Sequence, residues 1–118
     1  MLSVLSDPVG SVLTSALDGL STRSKTIANN IANVDTPDFR ATSVDFETAL
    51  KSAISNGELA TEVEPILTPT DTPVGPNGNN VDLRKETMAA IQNSAQYQVI
   101  ARAVSDRAAM LKTVVGGQ

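Results

Sequence analysis

The sequence predicts a mainly α fold: long N- and C-terminal helices packed as a coiled-coil-like pair, a short middle helix, and a proline-rich extended insert with a short β-hairpin. Three observations lead there. Leu13, Leu17, Leu20, Ser24, Ile27, Ile31 and Val34 recur at alternating spacings of four and three, the seam of a helix packed along another helix. A second apolar series near the carboxyl end runs Met88, Ile91, Ala95, then Tyr97, Ile100, Val104, Ala108, Leu111 and Val115. The 118 residues include two Phe, one Tyr and no Trp, too little aromatic surface for a compact globule, whereas helices sharing a narrow seam need less.

In chain order, residues 1–9 form an apolar arm. Leu2, Val4, Leu5 and Val9 have no local partner there, which fits either an interface segment or a frayed terminus. The first helix is expected over residues 10–34, about 35 Å long at ~1.5 Å per residue. Gly19 within it costs about 1 kcal/mol relative to alanine, which fits either the close approach of another backbone or a tolerated surface glycine. Asn29, Asn30 and Asn33 lie beside the apolar stripe, where their amides can bond a neighbouring backbone. The helix then stops, because Asn33 and Asp35 tolerate left-handed backbone angles and Pro37 cannot continue a helical ladder.

Residues 35–57 hold this turn and a short amphipathic helix from Val44 to Ile54. Phe46, Leu50 and either Ile54 or Ala53 share one face, Asp45 caps the start, and Asn56-Gly57 supplies a left-handed stop. Residues 58–80 contain Pro65, Pro69, Pro73 and Pro76, a spacing that precludes helix and permits edge strand or extended coil. Thr61 to Leu67 is expected to pair with Asn80 to Leu83 around the turn material Pro76-Asn77-Gly78-Asn79. The last segment, 81–118, is a helix capped by Asp82 that runs from Leu83 to about Val115. Its alanine density favours close packing, and at about 50 Å it outruns the first helix, so part of it must pack on something else.

The chemistry available is narrow. A net charge of −4, with no basic cluster beyond Arg84-Lys85, argues against nucleic acid or an anionic membrane as the main partner. Cysteine and histidine are absent, which removes disulfides, thiolate and imidazole chemistry and most zinc sites. Asp35 and Asp38 lack the further oxygens that a calcium loop needs and read as turn residues. Asp45 and Glu47 sit at a helix start without an apolar pocket to set one carboxyl apart, so they suit the helix dipole rather than acid–base work. No phosphate loop, nucleophile elbow or dinucleotide fingerprint occurs, and neither an enzyme nor a cofactor is expected. Asp7 and Pro8 interrupt the apolar amino terminus before it forms a signal core, and no run approaches the ~20 apolar residues of a membrane span. The expectation is a cytoplasmic chain, or one exported without a cleaved signal peptide.

Two blocks carry a resemblance: Ile27-Ala28-Asn29-Asn30-Ile31-Ala32-Asn33-Val34-Asp35-Thr36-Pro37-Asp38-Phe39, and Gly78-Asn79-Asn80-Val81-Asp82-Leu83 followed by Glu86 and Gln96-Tyr97-Gln98. Together with the closing Leu111-Lys112-Thr113-Val114-Val115, they make the chain similar to the flagellar basal-body rod proteins, and within them to the proximal-rod kind. Asp38 departs from the pattern, which usually has glycine after the proline. The resemblance implies a structural subunit of a helical periplasmic rod in the basal body, exported by the flagellar type III apparatus. It also implies other proximal and distal rod subunits, an adaptor protein at the rod base and the export gate as neighbours. The assembly interface it suggests takes Leu2, Leu5, Leu13, Leu17, Leu20, Ile27, Asn30 and Ile31 from the arm and first helix. Asn33, Val34, Pro37 and Phe39 join from the turn, with Tyr97, Ile100, Val104, Leu111 and Val115 from the last helix. The rival readings are another rod protein of the same family and a cytoplasmic helical adaptor or chaperone, which would also be acidic and rich in alanine.

Overall fold

The computed structural model describes residues 8–58 and 63–116, so the arm residues Leu2 and Leu5 lie outside the described residues. Its elements are helix α1 (Pro8–Ala32), strand β1 (Thr42–Asp45), helix α2 (Glu47–Asn56), strand β2 (Ile66–Pro69) and helix α3 (Leu83–Gly116). Proline fits the first position of α1, where its missing N–H would have had no helical partner. At the start of α3 the Asp82 carboxylate accepts the Lys85 N–H at 3.1 Å, the expected cap. The two long helices lie antiparallel, since Asn93 bonds the Leu20 carbonyl while Glu86, earlier on α3, meets Asn30, later on α1. The result is an elongated body of 66 × 26 × 15 Å. The predicted mainly helical class with a long helix pair is therefore what the chain forms.

The strand pairing differs from the expectation. β2 pairs antiparallel with β1, Thr42 opposite Pro69 and Asp45 opposite Ile66, and not with residues 80–83, of which Leu83 already starts α3. Residues 42–45, expected in part to begin the middle helix, are strand because α1 satisfies their outer edge. Asn30 Nδ2 donates to the Thr42 carbonyl at 2.8 Å, its Oδ1 accepts the Thr42 N–H at 3.2 Å, and Arg23 donates to the Val44 carbonyl at 2.8 Å. With β2 on one side and these side chains on the other, β1 leaves few backbone groups unpaired. Helix α2 starts two residues beyond Asp45, whose carboxylate nonetheless accepts the Thr48 N–H at 3.1 Å, and it ends at Gly57 with φ 71°.

The core is small: Leu20, Val44 and Phe46, with Ala16, Leu50 and Ile100 packed against them. Phe46 is the anchor the sequence suggests. It lies on Gly19, where an added Cβ would overlap the ring, and Arg23 covers it with the guanidinium carbon 4.8 Å from the ring centroid. The close approach at Gly19 is thus made by an aromatic side chain and not by a second backbone.

The phase of α3 is also corrected. Met88 and Ile91, read as part of the inward stripe, are 58% and 65% exposed, while Glu86 and Asn93 are buried. Both inward polar residues bond α1, Glu86 through Asn30 at 3.1 Å and Asn93 through the Leu20 carbonyl at 2.9 Å. On α1 the seam residue Ser24 is exposed, and Gly19, Leu20, Ile27 and Asn30 are the buried set, because this helix faces β1 and α2 as well as α3.

Candidate assembly surface

One end of the molecule is closed by side-chain amides. Asn33 stops α1, donating to the Asn29 carbonyl at 2.8 Å while its Oδ1 accepts the Thr36 hydroxyl at 3.0 Å. The segment 77–80 then folds over this turn. Asn79 Nδ2 donates to the carbonyls of Asn33 and Thr36, each at 2.8 Å, and its Oδ1 accepts the Val81 N–H at 2.7 Å. Asn80 Oδ1 accepts the Ala41 N–H at 2.7 Å, and its own N–H reaches the Phe39 carbonyl at 3.3 Å. Asparagine suits both positions, offering a donor and an acceptor on a short stem. Asp38 adopts φ 63° and donates its N–H to the Asn77 carbonyl at 3.0 Å, so the turn keeps a left-handed residue without glycine. Gly78, at φ 80°, leaves room for the Asp38 carboxylate where a Cβ would stand.

Beside the core, Arg23 forms an ion pair with Glu47 at 2.5 Å. Burial pushes the Glu47 carboxyl up, but the Arg23 bond and charge, with amide N–H groups, outweigh it and hold the carboxyl below its ordinary range. Asp45 is also held low, first by the Thr48 N–H and then by the Thr48 hydroxyl. Asp45 thus serves the helix start, and Glu47 the ion pair with Arg23.

The residues assigned to an interface fall into three groups. Leu20, Ile27 and Asn30 are buried inside the single chain, where they hold its own elements together. Leu13, Leu17, Ile31, Asn33, Val34, Phe39, Ile100, Val104 and Leu111 are half-buried. Pro37, Tyr97 and Val115 are exposed. A set that sequence reasoning missed lies on the outer face of α3, where Val99 and Met110 join Met88 and Ile91, with Val114 toward the end. The signal was present in the three-and-four spacing from Met88 through Ile91 and Ala95 to Val99. β2 adds exposed Ile66 and Leu67, and α2 adds Ile54. Between α1 and α3 runs a groove of about 390 Å³ lined by Ser21, Ser24, Ile27, Ala90, Asn93, Ser94, Tyr97 and Gln98. Such surfaces can bind another protein along a helix.

The known sequences agree in where they match. The family described as flagella basal body rod protein matches residues 11–40, most of α1 and the turn that stops it. Over 117 residues the chain is 34% identical to the flagellar basal body rod protein FlgB of Bacillus subtilis (strain 168), covering 89% of this chain and 91% of that relative. The chain belongs to the FlgB family of flagellar basal body rod proteins. FlgB of Aeromonas hydrophila is 33% identical, with 87% of this chain and 89% of the relative covered. FlgB of Escherichia coli (strain K12) is 33% identical, covering 76% and 80%. Family membership makes this chain a structural component of the basal body rod, and among its described residues no helix is long and apolar enough to cross a membrane. The two sequence blocks of the FlgB resemblance, some 40 residues apart, are the ones that Asn79 and Asn80 tie together.

Proposed function

We propose that the chain is a subunit of the proximal rod, polymerising with copies of itself and with other rod proteins into the periplasmic shaft that transmits torque. The observation that carries this reading is the outer face of α3, where Met88, Ile91, Val99, Met110 and Val114 stay exposed along a body 66 Å long. Apolar stripes on an elongated chain favour heterologous contacts, which build a helical assembly when they do not close into a ring. On this reading its neighbours are other rod subunits, the rod-base adaptor and the export gate, and it is exported through the flagellar apparatus. The role requires neither catalysis nor a cofactor.

Electron microscopy of basal bodies from cells carrying a tagged copy of this chain tests the proposal. Density for the tag on the proximal rod is expected. A tag confined to the cytoplasm, together with light scattering that finds a discrete dimer with no tendency to polymerise, would replace the reading with that of a cytoplasmic helical adaptor.

A further inference from the structure

We propose that the groove between α1 and α3 at Asn93 is a receiving slot for the carboxyl-terminal end of α3 from a second copy of this chain. The inference rests on the rod-subunit reading and names one of its contacts. Its first support is a polar atom without a partner. Asn93 is 4% exposed and its Nδ2 donates to the Leu20 carbonyl, but its Oδ1 has no hydrogen-bond partner among the described residues. A buried amide oxygen calls for a donor. The groove around it is walled by Ser21, Ser24, Ala90 and Ser94, short side chains that let a further helix come close, and no charged side chain lines it. A neutral donor on an apolar helix face is therefore the chemistry that fits.

The end of α3 has that chemistry. The antiparallel register, with Asn30 beside Glu86 and Leu20 beside Asn93, sets Pro8 level with the turn of α3 around Arg107. Residues 108–116 thus extend past the described part of α1. Met110, Thr113 and Val114 share one face there by helical spacing, two apolar side chains and one hydroxyl. In the single chain the Thr113 hydroxyl donates to the Ala109 carbonyl, a bond that a change of rotamer exchanges for Asn93 Oδ1 of a second copy once the side chains covering that oxygen part. The other exposed elements fit less well, since β2 is bounded by Pro65 and Pro69, and α2 offers only Ile54 as a large exposed apolar side chain.

Charge points the same way. From Val99 to Gly116 there are three basic residues and one acidic, against six basic and twelve acidic in the rest of the chain. A basic helix end approaching an acidic body is attracted, and Lys112, on the side of α3 away from Met110 and Val114, adds to that field without entering the groove. The contact joins the end of one copy to the middle of the next, so it is heterologous.

The absence of cysteine makes the contact testable by cross-linking. Full-length Ser94→Cys and Val114→Cys chains are mixed and oxidised. Within one chain these positions lie on a single helix about 30 Å apart, so any disulfide between them joins two copies. The mixture is expected to give the mixed dimer at several-fold higher yield than Ser94→Cys mixed with Ser55→Cys on α2. Raising salt to about 0.5 M should lower that yield several-fold, as should Thr113→Val. Equal yields for the two pairs, or no mixed dimer, overturn the slot. Recovery of the same chains in purified basal bodies is scored separately. Chains that enter basal bodies yet fail to cross-link sink the slot and leave the rod reading standing, whereas chains that do neither sink both.

Discussion

At the scale of single residues, Gly19 and Asn30 carry more of the fold than their types suggest. Glycine in a helix interior is ordinarily improved by alanine by about 1 kcal/mol. Here the added Cβ would overlap the Phe46 ring, and displacing that ring from the core costs more than the helix gains. Gly19→Ala is expected to destabilise the chain by about 1–2 kcal/mol net in urea titrations, with circular dichroism as the readout. A stabilised variant would mean that Phe46 does not sit on α1. Asn30 is fully buried and joins three elements, through both backbone groups of Thr42 in β1 and through Glu86 in α3. Asn30→Ala leaves those groups without partners and should cost about 3 kcal/mol, several times the cost of Asn29→Ala at an exposed site. Comparison of the two melting temperatures decides it.

At the scale of elements, the β1–α2 junction makes stability depend on acid. Asp45 and Glu47 both titrate below their ordinary values of 3.8 and 4.5 in the folded chain. Groups lowered by folding contribute stability that is present above those ordinary values and lost as pH falls through the lowered ones. Thermal melts should therefore hold steady above about pH 5 and drop progressively below about pH 4. In Asp45→Asn the drop should be shallower, and an unchanged slope would show that this cap is not part of the acid response. The same junction shows where sequence reading stops. Asp45 as a cap and Gly57 as a stop were legible, because caps act within a few residues. The strand before them was not, since it exists through Asn30 and Arg23 on a helix more than ten residues away. The inward phase of α3 was obscured for a related reason: Glu86 and Asn93 look like surface residues until their partners on α1 are seen.

At the scale of the whole molecule, the chain is a long, thin body with a small core at mid-length, an amide-closed end, and a helix whose outer face remains apolar. Ile91→Asp combined with Val99→Asp changes only exposed positions, so the isolated chain should melt within about 0.5 kcal/mol of the parent. In cells the double variant should be exported but absent from purified basal bodies, detected by immunoblot. Normal incorporation would remove the outer face of α3 from the assembly surface.

By itself the sequence determined the two long helices, their ends, the narrow apolar seam and the family, because periodicity, caps and turn residues act over short stretches of chain. Tertiary structure alone decided which strand pairs with β2, which face of α3 turns inward, and that Asn79 and Asn80 fasten the second family block to the backbone of the first. Those outcomes depend on hydrogen bonds between residues 12 to 73 positions apart, whose partners become neighbours only when the chain has folded.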